Sequence, residues 1–264
     1  MSTTASRQWS ANMTNVYMIT MPRKGYSGFT AIMRFMRKFD VHKWIVSPEK
    51  GNGGYEHWQI RFRCALNPEN AMIAWRQWVC NGFNLLEASD NGWEYEGKEG
   101  KFLASWDSKG ARSVRFGKME WRQEATVLRA RATNDREIVV WYDPRGNSGK
   151  SWLVGHLVET RQAYYVPPYL ATVESMIKTL ASMVKADREN GNPPRPLVVI
   201  DIPRSYKWKN EMYVAIEAIK DGIIVDPRYS ATVENVRGIG VIVLTNEKPQ
   251  VGKLSADRWD IVEW

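Results

Sequence analysis

Residues 138–151 read IVVWYDPRGNSGKS. An apolar, β-favouring run gives way to Asp-Pro, then to a Gly-rich turn, and then to WLVGHLVETR, which reads as helix. In that setting backbone N–H groups can approach phosphate oxygens closely, and the helix N-terminus adds positive potential. Gly146, Asn147, Ser148 and Gly149 would form the cradle. Lys150 would reach the outer phosphates of ATP, and Ser151 would offer its hydroxyl oxygen to Mg²⁺. The usual spacing places a Gly five positions before Gly149, where Pro144 stands here, so the match is partial.

Downstream, Leu197–Ile202 (LVVIDI) and Gly240–Thr245 (GVIVLT) are apolar without alternation, as expected of parallel strands buried on both faces. Asp201, near the end of the first run, can hold Mg²⁺ through water. Asn246, just past the second, can orient water or a γ-phosphate. Arg258, in LSADRW, is a candidate trans-acting cation for the γ-phosphate of a neighbouring subunit. Glu211 is a candidate base for the hydrolytic water. Strand–helix alternation makes this half an α/β domain.

The whole chain has 264 residues, enough for two domains that each bury a core. Hydrophobic residues make up 44% and charged residues 25%, which excludes a mainly disordered or fibrous chain. Residues 1–130 hold 19 Lys and Arg against 12 Asp and Glu, whereas residues 131–264 hold 18 against 17. Nearly all of the net +8 therefore belongs to the first half, which points to a polyanion partner there. Two cysteines exclude a disulfide framework, and no Cys/His cluster has zinc spacing. With no apolar leader and no membrane-length apolar run, a soluble intracellular protein is expected.

In the first half, Val16–Thr20 and His42–Val46 read as strands, with a helix between them carrying Ile32, Phe35, Met36 and Phe39 on one face. Glu56–Cys64 (EHWQIRFRC) alternates strongly, after a turn-rich stretch from Pro48 to Tyr55. Strand parity puts His57 and Gln59 on one face and Trp58, Ile60 and Phe62 on the other. An imidazole and an amide oxygen on one face suit Mg²⁺ or Mn²⁺ if a carboxylate joins them. Further on, Tyr95 and Lys98 are spaced to share a helical face with Glu99. A Tyr hydroxyl becomes a nucleophile when a nearby cation and a metal-polarised phosphate assist it. Arg23, Lys24, Arg61 and Arg63 are candidates for DNA contact, or equally a solvated basic face.

Taken in order, these segments resemble the replication initiator (Rep) of circular single-stranded DNA viruses, nearest to its smacovirus-like members. VYMIT looks like the first endonuclease motif, HWQ like the His-hydrophobic-Gln metal motif and YEGK like the Tyr-x-x-Lys motif. GNSGKS, VVIDIPR and VIVLTN look like Walker A, Walker B and motif C of a superfamily-3 helicase, and DRW like its arginine-finger segment. The resemblance implies an α+β HUH-type endonuclease over residues 1–115, with an antiparallel sheet carrying the metal motif on a central strand. It implies a linking and oligomerising segment over 116–135 and an α/β P-loop helicase over 136–264.

Tyr95 would nick origin single-stranded DNA, leaving a 5′-phosphotyrosine, and the reverse attack would rejoin the ends. Lys98 would neutralise phosphate charge. His57 and Gln59 would ligate the metal, with Glu49 or Glu99 as third ligand and Glu56 ranked last. The implied partners are single-stranded and stem-loop origin DNA, ATP, and further copies of the chain in a hexamer, with no membrane. The implied location is the nucleus of a eukaryotic host or otherwise the host cytoplasm. The alternatives are a P-loop ATPase with a non-nucleolytic nucleic-acid-binding domain, in which His57 and Tyr95 are structural, and a non-enzymatic single-strand binder using Trp and Arg as a stacking platform.

Overall fold

A computed structural model describes residues 14–23, 28–51, 53–170, 172–226 and 231–264. The chain divides into two compact units, Met1–Asp107 and Ser108–Trp264. The fold is mixed α/β, with an antiparallel sheet in the first unit and a parallel sheet in the second.

The first unit runs β1 (Asn15–Pro22), α1 (Gly28–Lys38), β2 (Lys43–Lys50), β3 (Glu56–Cys64), α2 (Pro68–Trp78), β4 (Asn84–Glu87), a 3₁₀ turn (Trp93–Gly97) and β5 (Leu103–Ala104). Its sheet order is β4-β1-β3-β2-β5, so β3 lies in the middle. Tyr17, Ile19 and Met21 of β1 and Ile60 and Phe62 of β3 pack against Ile32 and Phe35 of α1 and Trp75 of α2. Burying Phe35, Phe62 or Trp75 contributes roughly 2–3 kcal/mol each. Asn67 caps α2 by accepting from the Asn70 N–H, and Pro68 starts it where no N–H is needed.

With both helices on one side, the opposite face of the sheet keeps the other parity: Thr20, Ser47, Glu49, His57, Gln59 and Arg61. Two expectations change here. Strand β2 does not stop at Val46 but continues through Lys50, which takes Glu49 out of the loop and sets it opposite His57. Pro48 is tolerated because β5 pairs only with Ile45 and Val46, leaving β2 an open edge where no ladder bond is lost. The Tyr95 segment forms a 3₁₀ turn rather than an α-helix.

The second unit runs α3 (Lys109–Phe116), α4 (Trp121–Ala132), β6 (Ile138–Tyr142), α5 (Lys150–Glu159), β7 (Ala163–Tyr165), α6 (Val173–Glu189), β8 (Leu197–Ile202), α7 (Asn210–Asp221), β9 (Ile223–Asp226), β10 (Thr232–Asn235), β11 (Gly240–Thr245) and β12 (Trp259–Glu263). Its parallel sheet has the order β12-β6-β11-β8-β7. One face is covered by α6 and α7 through Met176, Leu180, Met212 and Ile216, the other by α4 and α5 through Val127, Ala130, Leu153 and Leu157. That two-sided cover is why β6, β8 and β11 read as unbroken apolar runs. Residues 116–135, expected to link the units, contain α4, whose Val127 and Ala130 are buried in this core. At the C-terminal edge of the sheet, the loops after β6, β8 and β11 converge, the usual place for a ligand in an open α/β sheet.

Candidate functional site

On the helix-free face of the first unit, β2 and β3 pair Glu49 with His57 and Ser47 with Gln59. Glu49 Oε2 lies 3.5 Å from His57 Nε2. His57 Nδ1 lies 3.2 Å from the Tyr55 carbonyl, which can only accept, so Nδ1 is the donor of that contact. The Gln59 amide is turned by Thr20, whose hydroxyl donates to Oε1 at 2.8 Å. Glu49 is only 4% exposed, and its Oε1 is buried with no hydrogen-bond partner. An orphaned carboxylate oxygen on a face that also carries an imidazole and an amide fits a hard divalent cation. Among the described residues no three His, Cys, Asp or Glu form a cluster, and the register places Gln59 on the same sheet face as Glu49 and His57.

The 3₁₀ turn brings Tyr95 and Lys98 to the same face. Three residues per turn eclipse positions i and i+3, and the Lys98 ammonium sits 4.1 Å from the centre of the Tyr95 ring. Lys98 Nζ also donates to Glu49 Oε2. The contacts therefore run Tyr95, Lys98, Glu49, His57. Glu99 stands apart: it is exposed, and its Oε1 accepts from the Lys50 backbone N–H at 3.3 Å. Glu56 faces Arg23, 4.0 Å away.

Arg61 is corrected. It is 7% exposed, and its Nε donates to the fully buried Glu96 at 2.8 Å while one terminal nitrogen reaches the Asn91 carbonyl at 2.7 Å. Arg61 therefore pins the Tyr95 turn to β3 instead of offering a cation to DNA. Burial pushes the Glu96 carboxyl above its usual range despite the charge of Arg61. Arg63 is paired with Asp90, whereas Arg23 lies 5.5 Å over the Trp58 ring. Lys24 falls outside the described residues.

In the second unit, Gly146, Asn147, Ser148, Gly149, Lys150, Ser151, Asp201, Arg204 and Asn246 line one open cleft of ≈ 510 Å³. Gly146 and Gly149 have φ of +80° and +83°, which an L side chain rarely adopts, and Asn147 joins them at +60°. Lys150 is the first residue of α5, and Ser151 Oγ donates to Asp201 Oδ2 at 3.2 Å. Burial pushes Asp201 above the ordinary carboxylate range, against the Ser151 bond and the charge of Lys150. Asn246 Nδ2 donates to the Asp143 carbonyl at 2.6 Å, tying β11 to the loop.

Three loop partners escaped the sequence reading. Asp143, 1% exposed, accepts from the Arg145 and Gly146 backbone N–H groups at 3.1 and 2.9 Å, from Ser148 Oγ at 2.6 Å and from Lys150 Nζ at 2.8 Å. Burial alone would raise its pKa, but bonds from Lys150, Ser148 and Gly146 outweigh it and hold the carboxyl well below the usual range. Arg204 donates to the Pro144 and Arg145 carbonyls at 3.2 and 2.6 Å. Gln123 of α4 donates to the Gly149 carbonyl at 2.9 Å. Only Asp143 left a trace in the sequence, as an acid at the end of an apolar strand next to Pro144.

Arg258 is the second correction. An arginine that reaches a neighbouring subunit must be exposed, yet Arg258 is 4% exposed and its guanidinium bonds Asp221 at 2.9 Å and Glu217 at 3.1 Å. Glu211 lies exposed in the first turn of α7 and does not line the cleft. Among the described residues no helix is long and apolar enough to cross a membrane.

No family model matches the chain. It is 29% identical over 184 residues to the Master replication protein of Subterranean clover stunt virus (strain F), covering 69% of this chain and 56% of the relative. It is 30% identical over 156 residues to the Master replication protein of Banana bunchy top virus, covering 59% and 49%. Against Para-Rep C6 of Subterranean clover stunt C6 alphasatellite the identity is 30% over 145 residues, covering 54% and 46%. The matched region spans about half the length of each of these relatives. The likeness to smacovirus-like members in particular rests on the motifs alone. The chain is thus a relative of the replication (Rep) proteins of circular single-stranded DNA viruses.

Proposed function

We propose that this chain initiates rolling-circle replication, nicking and rejoining single-stranded origin DNA with its first unit and hydrolysing ATP to unwind DNA with its second. The observation that carries the reading is the run of contacts from Tyr95 through Lys98 and Glu49 to His57 on an otherwise helix-free sheet face. The Tyr95 hydroxyl attacks the scissile phosphorus, forming a P–O bond to the tyrosine and breaking the bond to the 3′ oxygen. That oxygen leaves with the electron pair and takes a proton to become a 3′-OH, while the hydroxyl proton of Tyr95 passes to solvent. Attack by a 3′-OH on the 5′-phosphotyrosine reverses the step and joins ends. Lys98 places positive charge beside Tyr95, where charge on the phosphate develops. His57, Gln59 and Glu49 would hold Mg²⁺ or Mn²⁺, which when bound supplies Lewis-acid polarisation of the phosphate.

In the second unit, the Gly146–Ser151 loop would cradle the ATP phosphates, with Ser151 and Asp201 as oxygen donors to the nucleotide's Mg²⁺ and Asn246 next to the loop. Assembly as a hexamer around DNA belongs to this reading as an inference from the family resemblance.

The test is incubation of the full chain with a labelled stem-loop origin oligonucleotide and Mn²⁺. A covalent adduct that maps to Tyr95 and is lost in Tyr95→Phe, with ATP turnover unchanged, is the expected result. Unchanged nicking by Tyr95→Phe sinks the Tyr95 assignment, and ATP turnover without any nicking leaves an ATPase with a binding module.

A further inference from the structure

The phosphate loop of the second unit already holds an anion, and that anion is part of the chain. We propose that the Asp143 carboxylate is a resident occupant of the loop, which phosphates must displace, and that it makes the site selective for nucleotides carrying several phosphates. The proposal rests on the nucleotide reading of this cleft.

The donors that a phosphate would use are engaged. Oδ1 takes the Arg145 and Gly146 N–H groups, and Oδ2 takes the Ser148 hydroxyl and the Lys150 ammonium. Lys150 is 7% exposed and makes an ion pair with Asp143 at 2.8 Å, so the ammonium is committed inward. The carboxylate is fixed at its own backbone on both sides. The Asp143 N–H donates to the Thr245 carbonyl at 3.0 Å, and the Asp143 carbonyl accepts from Asn246.

An incoming phosphate meets two obstacles: it must take Lys150 and Ser148 from a bonded partner, and it is repelled by that partner's charge. Because Asp143 sits within a low-exposure pocket, the repulsion is weakly screened. A single phosphate brings too few contacts to repay this exchange. A di- or triphosphate adds contacts along the Gly146–Gly149 backbone and at Ser151. The carboxylate thus acts as a threshold on phosphate number.

The experiment compares the full wild-type chain with Asp143→Asn, which keeps the size of the side chain and removes its charge. Binding of ADP with Mg²⁺ is measured by calorimetry, and melting is followed with and without inorganic phosphate. Charged hydrogen bonds of this kind correspond to roughly tenfold in affinity or more. The expected result is ADP binding roughly tenfold tighter in Asp143→Asn, with stabilisation by inorganic phosphate that the wild type lacks. Equal or weaker ADP binding by a folded Asp143→Asn overturns the proposal and makes Asp143 a scaffold of the loop. Should Asp143→Asn not fold, Asp143→Gly is measured in the same way with the same expectation, and loss of folding in both also overturns the proposal in favour of a scaffold. Failure of the nucleotide reading looks different: the wild type and Lys150→Ala then give the same absence of binding, and Asp143→Asn gains none.

Discussion

Glu49 and His57 stand opposite each other across the β2–β3 ladder, with Oε2 3.5 Å from Nε2 and the second carboxylate oxygen buried without a partner. The pair is set by register, so replacing either member removes one proposed metal donor while leaving the backbone ladder in place. Glu49→Gln is expected to lower Mn²⁺ affinity and metal-dependent cleavage by about tenfold or more, as loss of a charged ligand does. Glu99→Gln, whose carboxylate caps the Lys50 N–H at the strand end, is expected to change both less than about threefold. Calorimetric Mn²⁺ titration of the two variants distinguishes them, and equal losses would give Glu99 a place in the site.

Arg61 and Glu96 form a buried pair beneath the Tyr95 turn. Removing one partner of such a pair costs about 3–5 kcal/mol. Arg61→Met is therefore expected to lower the denaturant midpoint of the chain and to reduce Tyr95 adduct formation, while the salt slope of single-stranded DNA binding stays unchanged. A salt slope smaller by about one unit would instead return Arg61 to the DNA-contacting set.

Gly149 is expected to resist substitution. Its φ is +83°, and a Cβ there would lie 2.7 Å from Gln123 Nε2. Gly149→Ala should weaken ADP binding by about tenfold or more, at a backbone strain of about 1 kcal/mol plus the lost Gln123 contact. Thermal shift with and without ADP reads this directly, and a full ADP-induced shift in Gly149→Ala would contradict it.

Acid sensitivity of the second unit follows from Asp187. Burial would raise its pKa, but Arg195 and Arg161 outweigh it and bring it below the ordinary 3.8. The folded state therefore holds the proton less tightly than the unfolded chain. The stabilisation is complete above the unfolded pKa and is lost as the pH falls from there through the folded value. Melting followed from about pH 6 to about pH 2 should show this acid limb. Asp187→Asn should start about 2 kcal/mol less stable at neutral pH and show a shallower limb.

What the sequence could and could not say divides along one physical line. Periodicity within an element was legible: the parity of EHWQIRF put His57 and Gln59 on one face, and the unbroken LVVIDI and GVIVLT runs marked strands covered on both sides. Partnering between distant elements was not. Glu49 reads as a loop residue until the open edge at Pro48 lets β2 continue opposite His57. Arg61 and Arg258 read as surface cations because nothing local reveals Glu96, or Glu217 and Asp221, as their partners. Asp143 reads only as the acid that ends the strand before Pro144 until four donors are seen to converge on it.

The bond from Gln123 to the Gly149 carbonyl has a mechanical consequence. Gln123 lies in the first turn of α4, and its Oε1 is itself gripped by the Glu120 N–H at 2.7 Å, so the side chain moves with the helix. Helix α4 also carries Trp121 and Leu128, which are 61% and 65% exposed. A hydrogen bond weakens steeply when its angle bends below about 120°. A shift of α4 would therefore have to carry the carbonyl at the start of α5 with it or break this bond, which ties the phosphate loop to the outer helix.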